Sequence, residues 1–145
     1  MLRMIFYLPS TRYFVTRTCW CTIMMTILLI DDSSIIRERL NKMISAIPET
    51  SVIGEAQNGD EALEMLLHHR PDIAVIDIHM PKRSGFDVIE AAKQMLPGTK
   101  FLVLTNYYDS SSISKARNAG ADFVFDKSTE FEMMLRIIDL YVQNN

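Results

Sequence analysis

The residues with the clearest chemical potential are carboxylates, a hydroxyl and an amine at the ends of short apolar runs. Asp31 and Asp32 directly follow the run ILLI, and Asp77 ends the run IAVID. Thr105 follows FLVL, and Lys127 comes just after FVF. Single polar residues at strand ends are ordinary loop chemistry, but five residues of these types form a set that needs a chemical explanation.

Three carboxylates that converge on one point repel each other. A like-charged pair about 4 Å apart costs roughly 4 kcal/mol at an effective dielectric near 20, so a cation must offset the charge. Magnesium suits this role because it binds one or two carboxylates together with water and phosphate oxygens. The Lys127 ammonium adds a positive charge, and the Thr105 hydroxyl can donate to a phosphoryl oxygen. The set therefore predicts phosphoryl transfer to a carboxylate nucleophile.

These residues need a fold that brings strand ends to one edge. Five apolar runs alternate with amphipathic stretches, and we assign strands to residues 27–30, 51–54, 73–77, 101–104 and 123–125. Three of the runs are apolar at nearly every position, which is typical of parallel strands covered on both faces. Alternating strands and helices with short connections predict a doubly wound α/β sheet that binds ligands at the carboxyl ends of its strands.

Apolar stripes and capping residues predict the helices. Three stripes have helical spacing, and their members are Ile36, Leu40, Met43 and Ile47; Leu63, Leu66 and Leu67; and Phe131, Leu135, Ile138 and Val142. The expected N-terminal signals are Ser33 or Ser34 for the first helix, Asn58 with Glu61 for the second, and a capping box of Thr129 and Glu132 for the last. The last helix is predicted to run almost to Asn145.

The composition indicates an acidic body. All 18 acidic residues and 12 of the 15 basic ones lie in residues 25–145, which therefore carry a net charge of −6. This balance argues against direct nucleic-acid binding, because such binding depends on Lys and Arg neutralising phosphates. Cys19 and Cys21 are too close for an ordinary disulfide and too few for a zinc site, so we expect a reducing, cytoplasmic setting.

Residues 1–24 differ from the domain predicted over residues 25–145, because they are aromatic and basic and keep no helical or strand period. Arginines interrupt this segment at three places, which disfavours a secretory signal and a membrane span. We interpret it as a poorly structured extension upstream of a natural start at Met24 or Met25. An anchor or a partner-binding tail is the alternative interpretation.

Four segments resemble the receiver domains of two-component response regulators, the family of the chemotaxis receivers. They are ILLIDDSS (27–34), VIDIHMP (75–81), LTN (104–106) and GADFVFDKS (120–128), and the resemblance covers about residues 26–142. It implies a flavodoxin-like (βα)5 fold with a parallel sheet in the strand order 2-1-3-4-5.

The resemblance also implies roles for the site residues. Asp77 is the implied phosphoacceptor, with Mg²⁺ as cofactor. Asp32 is implied as a direct metal ligand, Asp31 as an acidic partner acting largely through water, and His79 as the donor of a backbone carbonyl to the metal. The implied switch hydroxyl and the implied partner of the phosphoacceptor or phosphate are Thr105 and Lys127.

Some positions depart from the family pattern. Val124 stands where the family usually has Tyr or Phe, three residues before its Lys. Ser128 stands where many members have Pro, and cis peptide bonds are overwhelmingly a proline feature. His79 and Tyr107 occupy positions that influence phosphoryl lifetime in the family.

The resemblance implies a single-domain response regulator that receives its phosphoryl group from a sensor histidine kinase or a phosphotransfer protein. Its output surface is expected within residues 110–142 and its target is expected to be a protein, with neither nucleic acid nor a membrane as a direct partner. We expect no enzymatic activity beyond slow self-dephosphorylation.

Three alternative functions each require a different feature of the sequence. A DNA-binding regulator needs a basic output module, so this chain would be the receiver part of a longer product. An aspartyl-phosphate phosphatase needs a second carboxylate two residues after its nucleophile, where this chain has His79. A pseudo-receiver keeps the fold for binding but takes no phosphate, and the complete set of five site residues argues against it.

Overall fold

The computed structural model describes residues 23–145, so Cys19, Cys21 and nearly all of the predicted extension over residues 1–24 lie outside the described residues. The strands are β1 (Met25–Ile30), β2 (Thr50–Ala56), β3 (Ile73–Ile76), β4 (Lys100–Thr105) and β5 (Phe123–Asp126). The helices are α1 (Ser34–Ser45), α2 (Gly59–His69), α3 (Gly85–Met95), α4 (Ser110–Ala119) and α5 (Phe131–Gln143). Among them, none is long and apolar enough to cross a membrane.

The five strands form one parallel sheet in the order β2-β1-β3-β4-β5. This confirms the predicted fold class and strand order. The connections reverse direction between β1 and β3, which are hydrogen-bonded neighbours. In sheets of this kind, ligands bind beyond the carboxyl ends of the strands at such a reversal.

Side-chain alternation along β1 explains how one sheet supports two cores. Ile27 and Leu29 pack in the core formed with α1 and α5, whereas Leu28 and Ile30 pack in the core formed with α2, α3 and α4. All four side chains are at most 1% exposed. A strand that is apolar on both faces has to be covered on both, so polar side chains collect at its end.

The predicted stripes and two of the three predicted caps are confirmed. Each stripe packs against one of the two cores. Ser33 caps α1, where its hydroxyl accepts a hydrogen bond from the N–H of Ile36. Asn58 caps α2, where its side-chain oxygen accepts from the N–H of Glu61 at 3.0 Å. Short polar side chains satisfy helix N–H groups that have no partner within the helix.

The capping box predicted at Thr129 and Glu132 is wrong. Helix α5 begins at Phe131, so its N-cap is Glu130, which makes no capping hydrogen bond with its side chain. The Glu130 carboxylate instead accepts from the backbone N–H of Asp126 at 2.8 Å. The spacing typical of a capping box is present, but the loop before α5 places a different acidic residue at the cap.

The β5 region shows where the unusual Val124 lies. Val124 is partly buried against the core beneath α2, α3 and α4. Phe125 is 4% exposed in the opposite core, and the exposed Phe123 stacks on it with 6.0 Å between ring centroids. The two aromatic side chains therefore share the face opposite Val124, as strand alternation requires.

Candidate functional site

The predicted carboxylates meet at the carboxyl ends of β1 and β3. One carboxylate oxygen from each of Asp31, Asp32 and Asp77 lies within 4.8 Å of the other two. Asp31 and Asp77 are buried, whereas Asp32 is exposed. The cluster therefore combines two desolvated acids with a third that remains in contact with solvent.

Lys127 brings a positive charge into this cluster from the loop after β5. Its Nζ lies 2.5 Å from Oδ2 of Asp31 and 3.0 Å from Oδ2 of Asp77. The Lys127 side chain is only 7% exposed. A buried ammonium is costly unless it is paired and hydrogen-bonded, and these two carboxylates meet that requirement.

The pKa values of this cluster follow from burial and from the shared ammonium. Burial raises the pKa of Asp31, although bonds from Lys127 and from the Ser33 N–H act to lower it. Burial alone would lower the pKa of Lys127, but hydrogen bonds to Asp31 and Asp77 together with the attraction of their charges outweigh burial and raise it. Both pKa values can be raised at once because two carboxylates share one ammonium. The ammonium gains from both negative charges, whereas a shared ammonium is not enough to offset the burial of the Asp31 carboxylate.

Replacing Asp31 by Asn is expected to stabilise the protein at neutral pH in the absence of Mg²⁺, because it removes a carboxylate whose charged form is disfavoured by burial. The pKa of Asp31 in the folded protein lies above its ordinary value of 3.8, so this carboxyl lowers stability as pH rises through that interval. Urea unfolding with EDTA at about pH 4 and pH 7 would measure this, and the gain should shrink at the lower pH.

The exposed Glu90 provides a control for this substitution, because Glu90→Gln removes one negative charge outside the cluster. Its stability is expected to change by less than about 0.5 kcal/mol. An Asp31→Asn variant that is less stable than the wild type at pH 7 would show that the Asp31 hydrogen bonds outweigh the burial of its charge.

Backbone hydrogen bonds extend the sheet by one residue past three strand ends and so position the site. Each bond runs from the N–H of a site residue to a carbonyl of the neighbouring strand. The pairs are Asp31 to Ala56 at 3.1 Å, Asp77 to Ile30 at 2.9 Å, and Lys127 to Thr105 at 2.9 Å. The register of the sheet therefore decides how these side chains meet.

Thr105 ends β4 and His79 lies in the loop after β3, both at the edge of the sheet that holds the carboxylates. Thr105 is fully buried, and its Oγ1 accepts from the N–H of Tyr107 at 3.1 Å, which leaves its hydroxyl hydrogen available to donate. The exposed His79 ring packs on Tyr107 with 4.0 Å between ring centroids. The backbone N–H of His79 donates to Oδ1 of Asp77 at 3.4 Å. The role of the His79 carbonyl as a metal ligand stays a prediction.

Two residues that the sequence reasoning missed hold the backbone beneath the carboxylates. Arg37 donates to the carbonyl of Asp31 at 2.6 Å and pairs with Glu55 at 3.0 Å. Gly85 begins α3 so close to β3 that a Cβ there would lie 2.3 Å from the carbonyl oxygen of Asp77. The sequence signal for the second was a glycine directly after Ser84, which caps α3.

The donor set fits Mg²⁺. Three carboxylates supply hard oxygen ligands within reach of one another, and a single ammonium leaves negative charge for a divalent cation to neutralise. A carboxylate nucleophile beside a fixed ammonium is also an arrangement that can accept a phosphoryl group.

Comparison with known proteins agrees with this geometry. A family model described as the response regulator receiver domain matches residues 27–139. The chain belongs to this receiver family. The receiver is 34% identical over 112 residues to the transcriptional regulatory protein YhcZ of Bacillus subtilis, covering 77% of this chain and 52% of that protein.

Two further similarities widen the comparison. The receiver is 30% identical over 107 residues to a protein-glutamate methylesterase/protein-glutamine glutaminase of Syntrophus aciditrophicus, covering 72% of this chain and 30% of that protein. Its fold matches the receiver domain of the response regulator NarL of Mycobacterium tuberculosis with a TM-score of 0.76 at 25% identity, covering 84% and 98% of the two chains. The chain thus spans about half of the length of the YhcZ protein and less than a third of the length of the methylesterase.

Proposed function

We propose that this receiver takes a phosphoryl group on Asp77 in an Mg²⁺-dependent reaction in the cytoplasm and signals by changing a protein contact. The observation that supports this most directly is the convergence of Asp31, Asp32 and Asp77 within 4.8 Å, with Lys127 bonded to two of them. The phosphoryl donor is a sensor histidine kinase or a phosphotransfer protein. Beyond slow loss of its own phosphoryl group, the domain performs no enzymatic reaction.

In the proposed reaction, a carboxylate oxygen of Asp77 attacks phosphorus, and the donor leaves with the electrons of the broken bond. Asp31, Asp32, Asp77 and the His79 carbonyl would hold the Mg²⁺ ion, which would supply positive charge to the transferred group. Lys127 pairs with a phosphoryl oxygen, and Thr105 donates its hydroxyl hydrogen to another. These residues stabilise the charge that spreads over the phosphoryl oxygens in the transition state.

The output surface proposed for residues 110–142 is connected directly to the site. The loop that follows Thr105 leads into α4, and the loop that carries Lys127 joins β5 to α5. Phe123, Met133 and Leu140 are at least 38% exposed in this region, and exposed apolar side chains of this kind suit a protein partner. Movement of both loops toward the phosphoryl group would shift the packing of this surface, with a coupling typically worth about 1–3 kcal/mol.

The test is intact-mass measurement of the wild-type chain after incubation with acetyl phosphate, with Mg²⁺ or with EDTA. We expect a gain of one phosphoryl group per chain in Mg²⁺ and none in EDTA. A chain that binds Mg²⁺ but gains no mass would instead act as a pseudo-receiver.

A second candidate is the receiver part of a longer transcriptional regulator. The observation that favours it is that the chain covers 52% of the transcriptional regulatory protein YhcZ. The mass of the native gene product separates the two candidates. A product no larger than this 145-residue chain supports the single-domain proposal, and a product about one and a half times as long, the length implied by 112 aligned residues making up 52% of YhcZ, supports the longer regulator.

A further inference from the structure

The loop that carries Lys127 is held by a complete set of backbone hydrogen bonds. All five backbone N–H groups from Asp126 to Glu130 have a partner. Lys127 donates to the Thr105 carbonyl at 2.9 Å, Thr129 and Glu130 to the Asp126 carbonyl at 3.3 and 2.9 Å, Asp126 to Glu130 Oε2 at 2.8 Å, and Ser128 to Asp126 Oδ1 at 2.7 Å. In two of the five bonds the acceptor is a carboxylate, from Glu130 and from Asp126.

These two carboxylates accept hydrogen bonds from the backbone on either side of Lys127. The Glu130 carboxylate holds the residue before Lys127, and the Asp126 carboxylate holds the residue after it. The second bond depends on Ser128, because a proline at that position would have no N–H to donate. The loop therefore uses its own acidic side chains to fix the backbone on both sides of the ammonium.

The same bonds keep both carboxylates away from the ammonium. Among the described residues, the ion pairs of Lys127 are with Asp31 and Asp77. Asp126 lies one residue before Lys127 and Glu130 lies three residues after it. Their carboxylates nevertheless accept hydrogen bonds from backbone N–H groups. Lys127 therefore stays directed into the site, although acidic side chains stand close to it in the sequence.

We propose that Asp126 and Glu130 form a loop clamp that positions the Lys127 ammonium for the incoming phosphoryl group. This role rests on the proposed function of the site. A lysine has a long flexible stem and a compact charge, so the place of its ammonium depends on where its backbone is held. Displacement of a catalytic group by about 1 Å can slow a reaction by roughly a hundredfold.

The experiment compares Glu130→Ala, Glu130→Gln and Glu132→Ala in the full chain. Glu132 is an exposed acid in the first turn of α5 and serves as the matched control. Three quantities are measured: the rate of phosphoryl gain from acetyl phosphate with Mg²⁺, the affinity for beryllofluoride with Mg²⁺, and the affinity for Mg²⁺ alone.

Glu130→Ala is expected to lower the phosphorylation rate and the beryllofluoride affinity by roughly tenfold, as the loss of one charge-assisted hydrogen bond allows. Its affinity for Mg²⁺ alone should stay within about twofold of the wild type, because the three clustered carboxylates lie outside this loop. Glu130→Gln should recover most of the loss, since its amide oxygen still accepts from Asp126. Glu132→Ala should behave as the wild type.

Wild-type rates and affinities in Glu130→Ala would overturn the clamp and leave the proposed function intact. An equal loss of Mg²⁺ affinity in that variant would also overturn it, because the carboxylate would then support the whole site. If Glu130→Ala does not fold, the pair Asp126→Ala and Asp126→Asn repeats the comparison on the other clamp bond. A wild type that gains no phosphoryl group removes the proposed function and the clamp together.

Discussion

Replacing Asp77 by Asn is expected to reduce Mg²⁺-dependent phosphoryl gain from acetyl phosphate to an undetectable level. An amide oxygen is a poor nucleophile, and the carboxylate has to form the new bond to phosphorus. Asp77 is 8% exposed and accepts a hydrogen bond from Lys127, so the substitution removes the acid that directly follows β3 and pairs with that ammonium. Intact-mass measurement after a fixed incubation gives the result directly.

A matched control is Asp60→Asn, an exposed acid in the first turn of α2 that pairs with Arg83. This variant should gain the same mass as the wild type. Asp77→Asn should also remain folded, because it removes one charge from a cluster of like charges. A phosphoryl gain that persists in folded Asp77→Asn would place the acceptor on another residue and contradict the assignment.

The fold could be predicted from sequence where local patterns decide it. The continuous apolar runs that became β1, β3 and β4 required cover on both faces, and the stripe of α1 showed which helix side packs inward. The order of the strands in the sheet could not be predicted from local patterns. The pairing of Ile27 with Ile73 joins residues 46 positions apart, and alternation of side chains carries no information about which strands become neighbours. The order therefore came from the family resemblance.

The site could be predicted in residue type and position but not in its supporting contacts. Asp31, Asp77 and Lys127 follow strands, and parallel strands end at one edge. The support from Arg37 depends on how α1 lies over β2, which a stripe of apolar residues does not specify. The misassigned cap has a similar cause, because α5 begins one residue later than the expected capping box requires, so Glu130 and not Thr129 lies at the cap position.

Replacing Lys127 by Met is expected to lower the free energy of unfolding by about 3 kcal/mol at pH 8 without Mg²⁺, as breaking a buried ion pair does. Met has similar bulk, so the substitution chiefly leaves the buried Asp31 and Asp77 without their ammonium. Lys42→Met is the matched control, because Lys42 is exposed and pairs with Glu38 on the same helix. Its expected loss is at most about 0.5 kcal/mol.

The pH dependence of this loss distinguishes charge from packing. Lys127 acts to lower the pKa of Asp31 against the effect of burial, so removing the amine raises that pKa further. An acid whose pKa is raised by folding destabilises the protein as pH increases through the raised interval. The loss in Lys127→Met should therefore be smaller at pH 5 than at pH 8. Saturating Mg²⁺ should restore part of it at pH 8, because the metal binds only the folded site. An equal loss at both pH values, with no response to Mg²⁺, would mean that the aliphatic stem of Lys127 stabilises the fold and its charge does not.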